Sequence, residues 1–507
     1  MKIRKRISIL FILPALLSVV VNGQVRQPHS LYFMETIPQI SQINPAFQPR
    51  ANGYVMLPNV NIDICSDLAL KNILQKQGDG WVTPVEKQYD YSKLRRAIGK
   101  NATMFNLSAD IDILGFGFRT DNGYFSFGWS EHVSGNFALP SDLFKITDEG
   151  FAQKSLDFSP LRTRGMAYMQ LLFGYSHKVN DKLTIGVNVK PLMGQVAVSS
   201  KIDKFKLNTG ETQWDLDAKG CFYTSSFIDE IKTNAEGKIE SLDDITIKEF
   251  ADYSINDWIN NYTNFNNPGI AFDIGASYRI NERLTVSASL NNLGFISWKQ
   301  DLNSISFNGK YTFNGVNYDI INDKEDGFGK LFENLLDSIG DAMNYDVKKD
   351  KFSTSLTPVL HAGALYNLNR AISVGFLSRS AFWKNGVRQS FNASVYLQPY
   401  SFVAMNMGAT YQVKGSVHLG GGFTFLLGPL QFFFLIDNVP VYYSTLKLYN
   451  EEYDVDLGKN VKNMVFDLPY APERMKNLTF RTGFNLVFGK HGYMNRPMLD
   501  KGKSSWN

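Results

Sequence analysis

Phe105-Asn-Leu-Ser-Ala-Asp-Ile-Asp-Ile113 puts Phe105, Leu107, Ala109, Ile111 and Ile113 on one face and Asn106, Ser108, Asp110 and Asp112 on the other. A strand demands that period of two, and a helix would mix the two sets. The pattern recurs along the chain. Ala167, Met169, Leu171, Phe173 and Tyr175 alternate with Tyr168, Gln170, Gly174 and Ser176, and the same holds over 270–280, 284–290, 391–397, 403–411 and 478–488. Such runs are long for soluble strands and long enough to cross a bilayer at a tilt.

Fourteen strands are expected: 53–66, 104–118, 124–139, 165–178, 183–198, 269–280, 284–291, 352–367, 372–382, 389–398, 402–413, 417–427, 430–439 and 477–488. Their connections alternate in length. Arg119–Gly123, Val179–Lys182, Asn281–Arg283, Leu368–Ala371, Pro399–Ser401 and Gly428–Pro429 are short, whereas 67–103, 140–164, 199–268, 292–351 and 440–476 are long, with 383–388 and 414–416 as exceptions. Short periplasmic turns and long outer loops characterise an outer-membrane barrel, and an even strand number returns both ends to one side. The expected fold is therefore all-β: a transmembrane antiparallel barrel of about fourteen strands, with long extracellular loops that contain short helices. Charged residues at 20%, aromatic residues at 14% and 40 Gly beside 38 Phe and 24 Tyr suit this class.

Lys2, Arg4, Lys5 and Arg6 precede an apolar run from Ile7 to Val21, and Val21-Asn-Gly23 closes it with a short-side-chain cleavage signal before Gln24. The 52 basic residues fall to 48 without those four, matching the 48 acidic ones. A neutral mature chain argues against a nucleic-acid partner despite the pI near 8.6. After the signal no run of 18 apolar residues occurs, which excludes a helical membrane bundle. Alternating strands hide from hydropathy, whose mean is -0.19. The chain thus divides into a signal peptide (1–23), an N-terminal plug segment (24–50), the barrel with its loops (51–488) and a basic periplasmic tail (489–507) holding Lys490, His491, Arg496, Lys501 and Lys503. Four prolines, Pro28, Pro38, Pro45 and Pro49, bar a regular element from 24–50, while Phe33, Phe47 and their apolar neighbours need burial; Asn44 and Pro45 complete the expected plug set.

Three stretches resemble a known group. Ser30-Leu-Tyr-Phe-Met-Glu-Thr-Ile-Pro38 with Asn44-Pro-Ala-Phe-Gln-Pro49, Leu284-Thr-Val-Ser-Ala-Ser-Leu-Asn-Asn-Leu-Gly-Phe-Ile-Ser-Trp298, and the final strand Asn477-Leu-Thr-Phe-Arg-Thr-Gly-Phe-Asn-Leu-Val-Phe488 are similar to uncharacterised outer-membrane barrels of the Bacteroidota. The resemblance implies a cell outer-membrane address and a fold akin to fatty-acid-transporter barrels, without an established activity.

Function should sit inside the barrel. Alternation turns Asp110, Asp112, Asp273 and Asp437 inward, together with Lys190, Arg279, Arg379 and Arg481. Matched signs favour a lumen knit by ion pairs or filled by a plug over a strongly ion-selective pore. His29, His132, His177, His361, His418 and His491 are scattered without metal-ligand spacing, so neither metal nor cofactor is expected. His177 faces lipid with no Ser and acid set beside it, so no enzyme is expected. Gly420-Gly-Gly422 lies inside a strand, where it permits a bend or a close neighbour. Phe328, Leu331, Phe332, Leu335, Leu336, Ile339 and Met343 follow helical spacing within one loop. Phe222, Tyr223, Phe227, Phe250, Trp258, Ile259, Tyr262 and Phe265 could line an apolar pocket or form a cap's own core. Cys65 and Cys221 both fall at the outer rim, where an oxidising compartment permits a disulfide. The leading expectation is a barrel in outer-membrane lipid that binds or transports an apolar small molecule; the alternative is a non-transporting anchor whose loops bind a surface or secretion component.

Overall fold

Backbone groups in lipid must pair within the protein, and a strand achieves this only in a sheet without edges. The computed structural model meets that condition. It describes residues 29–489 except 78–79, 83–88, 99–101, 146–153, 234–237, 240–243, 249–265, 314–344, 384–385, 414–416, 440–442, 455–458 and 472–474. Fourteen antiparallel strands close into a barrel: β1 (Gly53–Ser66), β2 (Ala102–Arg119), β3 (Gly123–Pro140), β4 (Arg162–Lys178), β5 (Leu183–Thr209), β6 (Pro268–Arg279), β7 (Leu284–Trp298), β8 (Val359–Asn367), β9 (Ile372–Trp383), β10 (Gly386–Tyr400), β11 (Val403–Gln412), β12 (Val417–Leu427), β13 (Leu430–Val439) and β14 (Asn477–Phe488). Closure comes from β1 pairing with both β2 and β14, with Gly53 opposite Phe118 and Phe488.

The wall alternates as its sequence demands. Phe116, Phe173, Ile274 and Phe376 are among the apolar side chains exposed on the outside, while Asn61, Asp110, His132 and Asn406 are buried inside. At the short-turn end Phe118 stacks on Phe125 at 5.4 Å and Tyr400 on Phe402 at 5.4 Å, part of an aromatic girdle suited to a membrane interface.

The outer side differs from the expected loops. β5 does not stop near residue 198 but runs for 27 residues, and its outer half pairs with a strand at Trp214–Ser225, which in turn pairs with Leu302–Phe313. Leu207, Trp214, Leu216, Ile305 and Phe307 are buried together as a core for this extension, with Phe222 and Phe227 packed against it. Of the loop aromatics, these two therefore belong to the cap's own core, and Tyr223 lies against Phe352 at 5.5 Å. Phe250, Trp258, Ile259, Tyr262, Phe265 and the helical stretch from Phe328 to Met343 lie outside the described residues, as do the signal peptide and residues 490–507 of the tail. Short helices at Leu70–Ile73 and Tyr91–Ala97 do occur in the first long connection.

The expected strand 352–367 is two strands, Phe352–Ser355 and β8, broken at 356–358. Pro358 explains the break, since proline has no N–H to give a central strand. Opposite it, Asn292 has φ 61° and the inward face of β7 switches from Ser289 and Asn291 to Ile296 and Trp298. An extra residue in a strand produces such a switch of face.

Candidate functional site in the lumen and wall

The N-terminal segment touches wall strands around the whole circumference and is buried, so it lies inside the barrel. Ser30 gives Asp437 of β13 its N–H at 3.2 Å and its hydroxyl at 2.7 Å, and its carbonyl accepts from Asn406 of β11 at 2.6 Å. Tyr32 meets Ser287 of β7 at 3.1 Å, Gln39 donates to Asn485 of β14 at 2.7 Å, and Asn188 of β5 donates to the Ser41 carbonyl at 3.3 Å. The Ile43 carbonyl accepts from Ser289 at 2.8 Å and from Asn291 at 2.5 Å. Leu31, Tyr32, Phe33, Met34 and Ile37 pack with Leu377, Tyr396 and Phe433 of the wall, and Phe47 lies against that cluster. Asn44 holds the Ala46 N–H at 3.0 Å. Two glycines let the segment come this close. A Cβ at Gly186 would overlap the Pro45 carbonyl, and one at Gly275 would overlap the Asn44 side chain.

The inward charges separate into distinct arrangements. Lys190 and Asp273 form a buried pair at 2.6 Å, and Arg481 pairs with Asp112 at 3.0 Å. Asp110 is met by the neutral donor Asn61 at 3.0 Å and by the His132 imidazole at 2.5 Å. Asp437 is satisfied by the N-terminal segment and not by a cation. Arg379 is buried, and its Nε and Nη2 have no hydrogen-bond partner among the described residues. Arg279 corrects the expectation: as the last residue of β6 it is exposed at the short-turn rim, beyond the reach of the enclosed lumen. Four acids matched with four bases is thus too simple, because hydroxyl, amide and imidazole groups do much of the pairing.

The expected disulfide is also corrected. Both cysteines are free. Cys65 faces inward on β1 and accepts from Arg388 at 2.9 Å, whereas Cys221 lies in the extension opposite Lys201 and Ser306. They occupy different walls of the outer region. Burial pushes the Cys221 thiol up. Gly420 has Asp437 as its close neighbour, in line with a packing role for the glycine run. Among the described residues no group of three His, Cys, Asp or Glu could hold a metal ion, and no helix is long and apolar enough to cross a membrane.

Where β7 and β8 part company, a cavity of about 240 Å³ opens. Leu293 and Phe382 border it from the lipid side, 39% and 41% exposed; Leu356, 2% exposed, and Arg164 border it from within. Arg164 reaches across from β4 to donate to the Ser355 carbonyl, and the Leu356 N–H holds the Gly294 carbonyl at 2.9 Å. Asp273 accepts the N–H of Asn292 at 2.8 Å, so the Lys190–Asp273 pair anchors the bulge beside this gap. Alternation alone missed these residues. Pro358 within an otherwise regular strand was the signal that could have found them.

The family of unknown function DUF5723 matches residues 45–437, most of the barrel. The chain belongs to this family. No curated protein matches the sequence. Among solved structures, this DUF5723 chain is similar to the Ralstonia pickettii toluene transporter TbuX, at 10% identity and TM-score 0.42, over 90% of this chain and 95% of that one. It is similar to the Pseudomonas putida toluene transporter TodX at 9% identity and TM-score 0.38, over 88% and 92%. A Pseudomonas aeruginosa FadL homologue gives 13% identity and TM-score 0.40, over 93% and 99%.

Proposed function

We propose that this DUF5723 chain is an outer-membrane barrel that binds an apolar small molecule at the wall gap and passes it between lumen and bilayer. The cavity between β7 and β8 carries the reading. It is bordered by Leu293 and Phe382 where the wall meets lipid and by Leu356 within, so an apolar solute could enter without crossing the belt of ordered polar groups. An apolar cavity of about 150 Å³ suffices for benzene, and this open gap of about 240 Å³, whose lining mixes Arg164, Ser355 and Thr357 with apolar side chains, has the volume for a one- or two-ring hydrocarbon. The N-terminal segment, in this reading a plug, keeps water and ions from running along the axis while the wall gap serves the apolar solute. Export after cleavage between Gly23 and Gln24 would deliver the chain to the outer membrane.

A second reading is favoured by one observation. The extension above the barrel has its own buried core at Leu207, Trp214, Leu216 and Phe307, which suits a rigid platform for a surface or secretion component.

Uptake tests the first reading. Proteoliposomes carrying the chain should take up radiolabelled naphthalene, and Leu356→Trp, which fills the cavity, should reduce the rate at least tenfold while leaving heat-modifiable folding intact. Equal uptake by a folded Leu356→Trp barrel would contradict it.

A further inference from the structure

Three adjoining strands bring a serine, a histidine and two further polar side chains together inside the barrel. Ser130 and His132 are two residues apart on β3, so both point inward. The register sets Asp110 of β2 opposite His132, and Gln170 of β4 opposite Ser130. His132 Nδ1 lies 2.5 Å from Asp110 Oδ1, and Ser130 Oγ lies 3.0 Å from His132 Nε2. Gln170 Nε2 lies 3.5 Å from Ser130 Oγ. The Tyr168 ring is 5.0 Å from the imidazole and tilted by 31°. Ser130, His132 and Asp110 are 4%, 0% and 3% exposed.

Hydrogen-bond chemistry assigns the roles. A carboxylate only accepts, so Asp110 accepts a hydrogen bond from Nδ1–H and holds the imidazole in the tautomer whose Nε2 carries a lone pair. That lone pair accepts the Ser130 O–H. Nucleophile, base and orienting acid therefore stand in sequence at hydrogen-bond distances, an arrangement recognised by geometry and not by chain order. The expectation of a chain without catalytic groups rested on His177, which faces lipid; pairing across strands, invisible in a single sequence, assembles the set at His132 instead.

We propose that Ser130 and His132 are the nucleophile and base of an esterase site within the lumen, with Asp110 as positioning residue and the Gln170 amide as the neutral donor beside the Ser130 hydroxyl. This goes beyond passage of an apolar solute and does not depend on it. The substrate class is a carboxylic ester of an apolar acid: Tyr168 and Leu172 flank Gln170 on the inward face of β4, and Leu192 of β5 lies opposite Gln170, all buried. Ser130 Oγ attacks the ester carbonyl carbon as its proton moves to His132 Nε2. The bond to the alkoxy oxygen breaks and that oxygen takes the proton from Nε2, leaving as alcohol. Water then attacks the acyl-Ser130 carbonyl and gives a proton to Nε2, which returns it to Ser130 as the carboxylic acid departs.

Purified full-length barrel should be treated with a fluorophosphonate probe and assayed on p-nitrophenyl butyrate and decanoate. The proposal expects one adduct per chain, mapped by peptide mass to Ser130, and ester turnover that falls on the order of a hundredfold or more in Ser130→Ala and His132→Asn. Asp110→Asn should lower kcat with KM little changed and shift the pH profile of kcat, an effect that a merely structural acid would not produce. Heat-modifiable mobility confirms folding; should Ser130→Ala fail to assemble, Ser130→Cys provides the test, with alkylation of residue 130 by iodoacetamide slowed at least tenfold when His132 is also replaced by Asn. Absence of a Ser130 adduct on the folded wild type, or equal turnover by the Ser130→Ala barrel, would overturn the assignment.

Discussion

Replacing Lys190 with Met should destabilise the barrel far more than the loss of an exposed ion pair would, since Nζ also donates to Asn292 Oδ1 at 3.0 Å. Lys190 and Asp273 are 5% and 0% exposed and meet at 2.6 Å, so water cannot replace either partner. Without Lys190 the Asp273 carboxylate would keep, among the described residues, Asn188 at 3.0 Å and the Asn292 N–H at 2.8 Å, two neutral donors for a buried charge. Breaking a buried pair by removing one member costs about 3–5 kcal/mol, against about 0–1 kcal/mol for an exposed pair. Lys190→Met with Asp273→Asn removes both charges and leaves an amide oxygen for the same donors, so the double variant should lose about 1 kcal/mol, less than either single change. Urea unfolding in lipid vesicles, followed by tryptophan fluorescence and gel mobility, gives all three values. Single variants within 1 kcal/mol of wild type, or a double variant equal to the sum of the singles, would refute the reasoning.

Phe173→Arg should lose about 2–4 kcal/mol and fold poorly, since Phe173 faces lipid at 50% exposure, whereas Gln170→Arg should fold better because Gln170 faces inward; equal gel mobility of the two variants after heating would refute the facing. Deleting 29–50 should leave a barrel that inserts but conducts ions in planar bilayers, and unchanged conductance of the folded deletion would rule out a sealing role. The unreduced, denatured wild-type chain should take up two alkyl groups, because Cys65 and Cys221 are free; a mass with none would restore the disulfide.

Strand class and facing were legible because a wall between lipid and a polar interior imposes one repeated chemical contrast. The run from Phe105 to Ile113 states it, and Asp110 and Asp112 turn inward accordingly. Less was legible where contrast weakens. Beyond the bilayer β5 pairs with the strand at Trp214–Ser225 in an extension solvated on one side, so its continuation to Thr209 could not be separated from loop. The break at Pro358 was written in one residue, but its partner Asn292 became visible only with the register. Partners of inward charges depend on which strands adjoin and at what offset. Thus Asp112–Arg481 spans neighbours of β1, and Asp437 finds Ser30 instead of a base. Arg279 shows the limit of alternation, which tells the face of a strand and not how far the lumen encloses it.

The wall gap itself can be tested by photolabelling. An apolar aryl-diazirine, allowed to equilibrate into vesicles carrying the barrel and then activated, inserts wherever it resides, and peptide mass spectrometry maps the adducts. Lipid-facing Phe376 and Ile274 will be labelled in any membrane barrel and serve as the internal standard. Leu356 is 2% exposed and borders the cavity, so label there reports occupancy within the wall. The account predicts adducts on Leu356 as well as Leu293, competed away by excess naphthalene while the belt adducts persist. Adducts confined to belt residues, with Leu356 unlabelled at every probe concentration, would contradict it.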